Sequence, residues 1–339
     1  MSRSAKMFGK LTTSYNIMKK ILIIGAGQLG SRHLQSLNLL NEQLDITVVD
    51  PSVASLETAR SRFEATIAQV THQINYTQKL TDTHTVDVAI IASTAQSRRT
   101  IVEDLLKQVE VKHLVLEKIL FTQEQDYYDI AELLSRHQTK TWVNCTMRMM
   151  PYYQNLNTLF HNEAVQYHVT GSQYGLITNA IHYLDHAAYI TGDNEFELDT
   201  HLLDKHIIES KRAGYYELTG TLVARFANGS QAFINCDKHG SAPIQIEIYN
   251  HKNRIISKEW EQKAWQTGVD KDWKWEEVNA PIPFQSTLTA ELVHSLLTTN
   301  RCSLTDYTTS MQIHLQLLKP LKSFVAENRL TSHMDYPFT

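Results

Sequence analysis

Cysteine is scarce: Cys145, Cys236 and Cys302 are the three in a chain of 339 residues. They are odd in number, far apart and without metal-ligand spacing. That excludes a disulfide framework and favours a reducing, cytoplasmic compartment. Positive charge is not in excess either: Lys and Arg total 32 against 36 Asp and Glu, a net charge of −4. A nucleic-acid binder should be basic, so that class is set aside. No run approaches the roughly 18 apolar residues that would suggest a membrane-spanning helix. No apolar segment precedes Lys19 and Lys20, as a secretory leader would need. His is frequent, at 16, but no His/Cys cluster reads as a zinc site, and no metal is expected. Apolar residues at 42% and charged residues at 20% lie in the globular range. At about 150 residues per domain, the length suggests roughly two domains.

Residues 1–17 are polar and basic without periodicity and read as a disordered extension. A targeting peptide is the sharper alternative, but the segment holds a single Arg. From Lys20 the pattern alternates strand and helix. Ile21–Ile24, Ile46–Val49, Val86–Ala92, Leu114–Leu116 and Thr141–Asn144 read as strands. Gln28–Leu40, Ser52–Phe63, Arg98–Gln108 and a segment from Thr122 to Ser135, opened by a Thr122/Gln125 capping box, read as helices. This is a parallel sheet with helices on both faces, a doubly wound α/β domain over 18–120. The rest, 121–339, differs. Tyr216–Phe226 alternates, Asn228-Gly229 marks a tight turn, and Ser230–Cys236 returns; Ile244–Tyr249 and Arg254–Ser257 form a second such pair. With helices expected at Leu176–Ile190, Thr287–Thr298 and Thr308–Ala326, the last kinked or broken at Pro320, this is an α+β domain with an open, largely antiparallel sheet.

Gly25-Ala26-Gly27-Gln28-Leu29-Gly30 follows the first strand, opens a helix, and is followed by Asp50 at the end of the second strand. That is the context of a dinucleotide-binding Rossmann turn. Gly25 would permit the turn, Gly27 the close approach of a pyrophosphate, and Gly30 helix–strand packing, with the first N–H groups of the helix facing phosphate. Asp50 would accept hydrogen bonds from ribose hydroxyls and repel a 2′-phosphate, favouring NAD over NADP. A methyltransferase loop would want an acid where Ile23 stands.

With Arg32-His33, Glu117-Lys118 closing a strand, and His182-Tyr183-Leu184-Asp185, the chain resembles the glucose–fructose oxidoreductase/inositol dehydrogenase/MocA family from Met18 to about Phe324. The resemblance implies an NAD(P)-dependent oxidoreductase that exchanges hydride with a carbinol of a sugar, cyclitol or sugar nucleotide. It implies a homodimer or homotetramer joined through the second sheet. Lys118 and His182 correspond to the catalytic pair. Ser93, Thr94 and Glu117 join Gly25, Gly27, Gln28, Leu29, Gly30, Asp50 and Lys118 along the cofactor. Arg148, Asn179, His182 and Asp185 fall on the substrate side. Three positions depart from the family pattern: Ile119 for a proline, Arg98 where many members have histidine, and Thr178 where an acid often stands. Without that acid, His182 is expected to titrate near about 6.5, and Lys118 becomes the main group for the substrate proton. A second reading is an NAD(H)-binding redox sensor or scaffold without turnover.

On the residues alone, other roles stay open. Lys118 reads first as a solvated strand-end lysine and His182 as a satisfied core or surface histidine, while Arg148 is equally half of a surface ion pair and Asp185 equally a cap. Trp260, Trp265, Trp273 and Trp275 read as interface or core before sugar platforms.

Overall fold

Short apolar runs bounded by glycine, acid or lysine become the centre of a sheet, because a strand covered on both faces needs apolar side chains on both. In the computed structural model, residues 18–80, 84–328 and 333–339 are described, so the expected extension over 1–17 lies outside the described residues. The chain runs β1 (Lys19–Ile24), α1 (Gln28–Leu37), β2 (Leu44–Val49), α2 (Val53–Glu64), β3 (Gln73–Thr77), β4 (Thr85–Ile91), α3 (Ala95–Gln108), β5 (Glu110–Leu116), α4 (Glu124–Arg136) and β6 (Lys140–Val143). These six strands pair in parallel in the order β3-β2-β1-β4-β5-β6. Ile21, Leu22 and Ile23 are at most 1% exposed, and each such burial contributes about 1.5–3 kcal/mol.

The chain continues through α5 (Pro151–Asn155), α6 (Asn157–Phe160), β7 (Gln166–Thr170), α7 (Leu176–Thr191), β8 (Phe196–Asp199), β9 (Ile208–Glu209), β10 (Tyr216–Glu217), β11 (Gly220–Phe226), β12 (Gln231–Cys236), β13 (Gln245–Tyr249), β14 (Asn253–Lys258), β15 (Lys263–Gly268), β16 (Glu276–Asn279), α8 (Gln285–Thr299), β17 (Thr305–Asp306) and α9 (Tyr307–Glu327). Eight of these strands form the second sheet, ordered β16-β15-β14-β13-β7-β12-β11-β8, antiparallel except for β7 beside β12. Its alternation is clean. Ala232, Ile234 and Cys236 are buried while Gln231, Phe233 and Asn235 face the other side. On that outer face His168 stacks between Phe233 and Tyr249, with centroids 4.8 and 5.6 Å away.

Three local expectations are corrected. The first sheet does not end at Leu120: β6 extends it in parallel, β17 adds an antiparallel edge, and α8 packs on α1. These late elements return from far along the chain, so no local pattern near Leu120 announces them. The capping box is absent. Gln123 is the N-cap of α4 without a side-chain bond, Gln125 donates to Asp129, and Asp335 accepts from the Glu124 N–H at 3.1 Å. The break allowed for at Pro320 does not occur: α9 runs on through it, with Leu317, Leu318, Leu321 and Phe324 buried on both sides. Asn228-Gly229 forms the expected tight turn between β11 and β12: the Gly229 N–H donates to Phe226 O at 3.0 Å, Gly229 has φ +89°, and Asp193 also holds the Asn228 N–H.

After α9, residues 333–339 return to the body of the fold. Tyr336 and Phe338 are fully buried, and the Tyr336 N–H donates to Thr122 O while Pro337 O accepts from the Tyr216 N–H. Among the described residues no helix is long and apolar enough to cross a membrane.

Candidate functional site

The glycine turn lies where β1 gives way to α1. Gly25 has φ +95°, and a Cβ there would meet Ala92 O at 2.9 Å. A Cβ on Gly30 would fall 1.7 Å from Gly25 O, whereas one on Gly27 meets nothing within 4 Å. Turn, close packing and an open approach are thus divided among the three glycines. Gly27 caps α1 without a side-chain bond, and no acid stands in the first turn of that helix, so its leading N–H groups are free to meet an anion. Gln28 is held by Arg62 from α2 at 2.7 Å. Asp50 closes β2 beside the turn: one oxygen accepts from the Ala26 N–H at 2.7 Å, the other from Ser52 at 2.8 Å. Ser93 and Thr94 follow β4 on the other flank, where the Ser93 nitrogen lies 3.2 Å from the Cβ position of Gly25. These features fit a dinucleotide: an open backbone cradle at a helix N-terminus, with a carboxylate at the end of the neighbouring strand.

Lys118 leaves the end of β5 and reaches α7, where its Nζ donates to Thr178 O at 2.9 Å. The Lys118–Ile119 peptide is cis. Arg98, 1% exposed, fastens this loop from below. It donates to the carbonyls of Ile119, Leu120 (2.7 Å) and Ser93 (2.5 Å). Burial draws its guanidinium down to about 10, so it stays charged. The position that departs from the usual histidine thus ties the Lys118 loop to the Ser93 loop.

Glu117 points the other way. Buried, it accepts from Asn144 at 2.6 Å and pairs with His33 at 2.9 Å, and His33 in turn meets Thr289 of α8 at 2.8 Å. Burial opposes its ionisation, but His33 and Asn144 more than offset this and hold the carboxyl below its ordinary range. Its carboxylate is thus engaged within the protein, a buried anchor between α1, the end of β6 and, through His33, α8.

Lys118 sits in a cavity of about 620 Å³ that it lines with Leu29 from the glycine turn, Thr178, Glu217, Arg212 and Thr339. Lys211, Lys238, His206 and His239 also border it. A larger groove of about 740 Å³ lies between α9 and β8 and holds none of the candidate residues. Burial pushes the Lys118 amine down, against the pull of Glu117, Cys145 and Glu217. His182 follows one turn after Thr178. Burial, then the charge of Lys118, brings its imidazole down to about 3, and its Nδ1 is buried without a partner. The expectation of titration near about 6.5 is therefore corrected: a missing acid leaves burial in control, and the ring is neutral.

Arg148, from the segment after β6, and Asn179, His182 and Asp185 of α7 do not line this cavity. Arg148 and Asp185 bind each other, Nε to Oδ2 at 2.7 Å, with side chains 12% and 1% exposed. Thr305 also donates to Asp185, and Arg148 lies over the Tyr189 ring. Asp185 is thus engaged by Arg148 and Thr305 rather than by His182. Asn179 donates to Tyr174 O and Gly175 O, and so fastens the start of α7. Trp260, Trp273 and Trp275 border other surface hollows.

Sequence reasoning missed Glu217. It accepts from the N–H groups of Ile177 (2.9 Å) and Thr178 (3.1 Å) and from the Thr178 hydroxyl. Burial raises its carboxyl above the ordinary range, against these hydrogen bonds and Lys118. It lies in a two-residue strand, and only the three-dimensional return of that strand to α7 marks it. Thr339 was missed likewise: its main-chain oxygen is 2.9 Å from the Thr178 hydroxyl, and its own hydroxyl accepts from Arg212 at 3.1 Å. Among the described residues no group of three or more His, Cys, Asp or Glu is arranged to hold a metal.

Residues 19–145 match the model of the glucose–fructose oxidoreductase/inositol dehydrogenase/MocA family, described as an oxidoreductase family with an NAD-binding Rossmann fold. No curated protein matches the sequence. Similar folds are found among solved structures. An oxidoreductase from Agrobacterium radiobacter in complex with NAD+, L-tartaric acid and magnesium is 16% identical, with 88% of this chain and 94% of that one covered, at a TM-score of 0.65. UDP-N-acetylglucosamine 3-dehydrogenase GnnA from Acidithiobacillus ferrooxidans is 13% identical over 89% and 96%, at 0.64. GenD2 from gentamicin A biosynthesis, in complex with NAD, is 14% identical over 98% and 99%, at 0.67.

Proposed function

We propose, from the identification of residues 19–145 as the NAD-binding Rossmann fold of this oxidoreductase family, that the protein is an NAD-dependent dehydrogenase of a polyhydroxy substrate, with a sugar, cyclitol or sugar-nucleotide carbinol as the reacting group. The observation that carries this reading is the Lys118 amine in a cavity that also includes Leu29 of the glycine turn. The turn at Gly25, Gly27 and Gly30 and the first N–H groups of α1 would hold the pyrophosphate, and Asp50 the adenosine ribose, which favours NAD over NADP. When bound, the nicotinamide supplies the hydride acceptor.

This chain's residues then handle the proton. The Lys118 amine, pushed down by burial, accepts the hydroxyl proton as the carbinol is oxidised, and returns it in the reverse direction. His182, neutral at physiological pH, carries a single ring proton, and its Nδ1 has no partner within the protein and is open to a hydrogen bond with substrate. Arg212, Lys211 and Lys238 around the cavity favour substrates that carry a carboxylate or phosphate away from the reacting carbon. The outer face of the second sheet, with His168, Phe233 and Tyr249, is the surface we assign to a homodimer or homotetramer.

The test is a screen of sugars, cyclitols, sugar acids and sugar nucleotides with NAD, read as NADH absorbance. With a substrate in hand, Lys118→Met should abolish turnover while NAD still binds. His182→Ala should lower kcat by no more than the 10²–10⁴-fold typical of a lost acid–base group. A Lys118→Met variant that keeps most of its activity would overturn the assignment, and NAD binding with no turnover on any of these classes would overturn the reading as a dehydrogenase.

A further inference from the structure

We propose that Glu217 is the positioning residue of this site, holding the Lys118 amine in place through Thr178 and supplying the negative charge that it faces from the second domain. The proposal rests on Lys118 as the proton-handling group, and it adds a residue that no motif marks.

Three observations carry it. First, Thr178 is a bridge between the two side chains. Its N–H and hydroxyl both donate to Glu217, and its carbonyl accepts from Lys118 at 2.9 Å. The single hydroxyl proton has a second acceptor, Thr339 O at 2.9 Å, so the tie to Glu217 is adjustable. Second, the start of α7 is built to receive a carboxylate from elsewhere. Its N-cap is Gly175, at φ +82° and with no capping side chain of its own. The second and third N–H groups of the helix go to Glu217 instead, where the helix dipole favours negative charge. A Cβ on Gly175 would stand 3.2 Å from Glu217 Oε1, so the glycine leaves room for the carboxylate. Third, Glu217 lines the same cavity as Lys118. A group that only capped a helix would have no need to face that space.

The charged and titratable groups around the amine are Glu117 on its own strand end, Glu217 on β10 and Arg212 on the loop before it, with the Cys145 thiol behind and the His314 ring on α9 also within its field. The His182 ring on α7 feels Lys118 in return. Glu117 is already engaged by His33 and Asn144. That leaves Glu217 as the carboxylate whose attachment can change without dismantling the first domain. Lost charge at Glu217 should favour the neutral amine, because an adjacent opposite charge raises the proton affinity of an ammonium group.

The experiment needs no substrate and no cofactor. The full-length protein is treated with cyanate over a pH series, and the carbamylation rate of Lys118 is read by mass spectrometry of its peptide. Lys118→Met serves as the control for peptide assignment. In Glu217→Gln, whose amide oxygen can still cap α7, the midpoint of Lys118 reactivity should fall by about 1 pH unit, the lower end for loss of a close opposite charge. Its melting temperature should stay near wild type. Glu217→Ala should lower both. An unchanged midpoint in a folded Glu217→Gln overturns the proposal and leaves Glu217 as a helix cap. If that variant does not fold, Glu217→Asp takes its place: its retracted carboxylate should lower the midpoint by less, in the same direction, and no fall overturns the proposal. Because the titration reads the amine itself, failure here is distinct from failure of the dehydrogenase reading, which Lys118→Met tests by turnover.

Discussion

The glycine turn invites a paired perturbation, because two of its glycines are small for different reasons. In Gly30→Ala the new methyl would lie 1.7 Å from Gly25 O and 2.8 Å from Gly25 C. Both are backbone atoms and cannot rotate away. Gly25 has little freedom to move: its N–H is bonded to Val49 O at 2.8 Å, and Ala92 closes its other side. Overpacking costs about 1–3 kcal/mol, and the rigidity of the neighbour puts this site near the top of that range. The entropic gain of replacing glycine returns about 0.4–1 kcal/mol, so a net loss of about 2 kcal/mol is expected. For a unit of 150–250 residues that is roughly 4–8 °C in melting temperature.

Gly27→Ala is the converse. Nothing lies within 4 Å of its Cβ position, and the lost N-cap preference and the entropic gain nearly cancel, within about 1 kcal/mol. Its cost should appear only with ligand. At NAD of 100 times Kd, binding stabilises the fold by about 2.7 kcal/mol, and a tenfold weaker variant loses about half of that. Thermal melts of both variants, with and without NAD, separate the effects. Gly30→Ala should melt low in both conditions; Gly27→Ala should match wild type alone and lag it with NAD. A Gly30→Ala variant that melts with wild type, or a Gly27→Ala variant that keeps the full NAD shift, would refute the division of roles.

Asp50→Ser should relax the preference of NAD over NADP, measured as the ratio of the two Kd values; tighter binding of NADP by the wild type would count against the role of Asp50. Asp185→Ala should destabilise the protein by about 3–5 kcal/mol, since it strands a largely buried Arg148, and chemical denaturation would expose the error if the loss were under about 1 kcal/mol. Arg98→Met should lower the melting temperature and weaken NAD binding together, because the Lys118 and Ser93 loops lose their common donor; an unchanged melt would show that the three carbonyls are satisfied otherwise. Sedimentation should show a dimer or tetramer at micromolar concentration, which Phe233→Glu dissociates; a monomeric wild type would remove the outer sheet face as the interface.

The first domain was legible wherever one local pattern decides the outcome. Ile21–Ile24, the glycine turn and Asp50 fall within a single strand–helix–strand passage, and the same few residues carry both the fold and the cofactor cradle. Legibility stopped where an element's role depends on a distant one. Nothing near Leu120 says that α8 will pack on α1, with the Ala290 N–H bonded to Ser36 at 2.8 Å. Asp335, far along the chain, displaced the capping box that Thr122 and Gln125 promised. Arg148 and Asp185 each read as substrate groups singly. Their pairing needs the geometry of α7 against the segment that follows β6, and a charge that finds a buried partner is no longer offered to a ligand.

The site shows the same limit in its proton chemistry. Sequence supplies Lys118 and His182 as types at positions; their states come from what folds around them. Burial holds the His182 ring neutral. His33 and Asn144 hold Glu117 ionised although it is buried. Glu217 is drawn in opposite directions, up by burial and down by α7 and Lys118. The Lys118 amine is lowered by burial and drawn back up by carboxylates from two domains. At Thr178, where the family pattern often has an acid, the hydroxyl donates to a carboxylate that β10 brings from elsewhere in the chain.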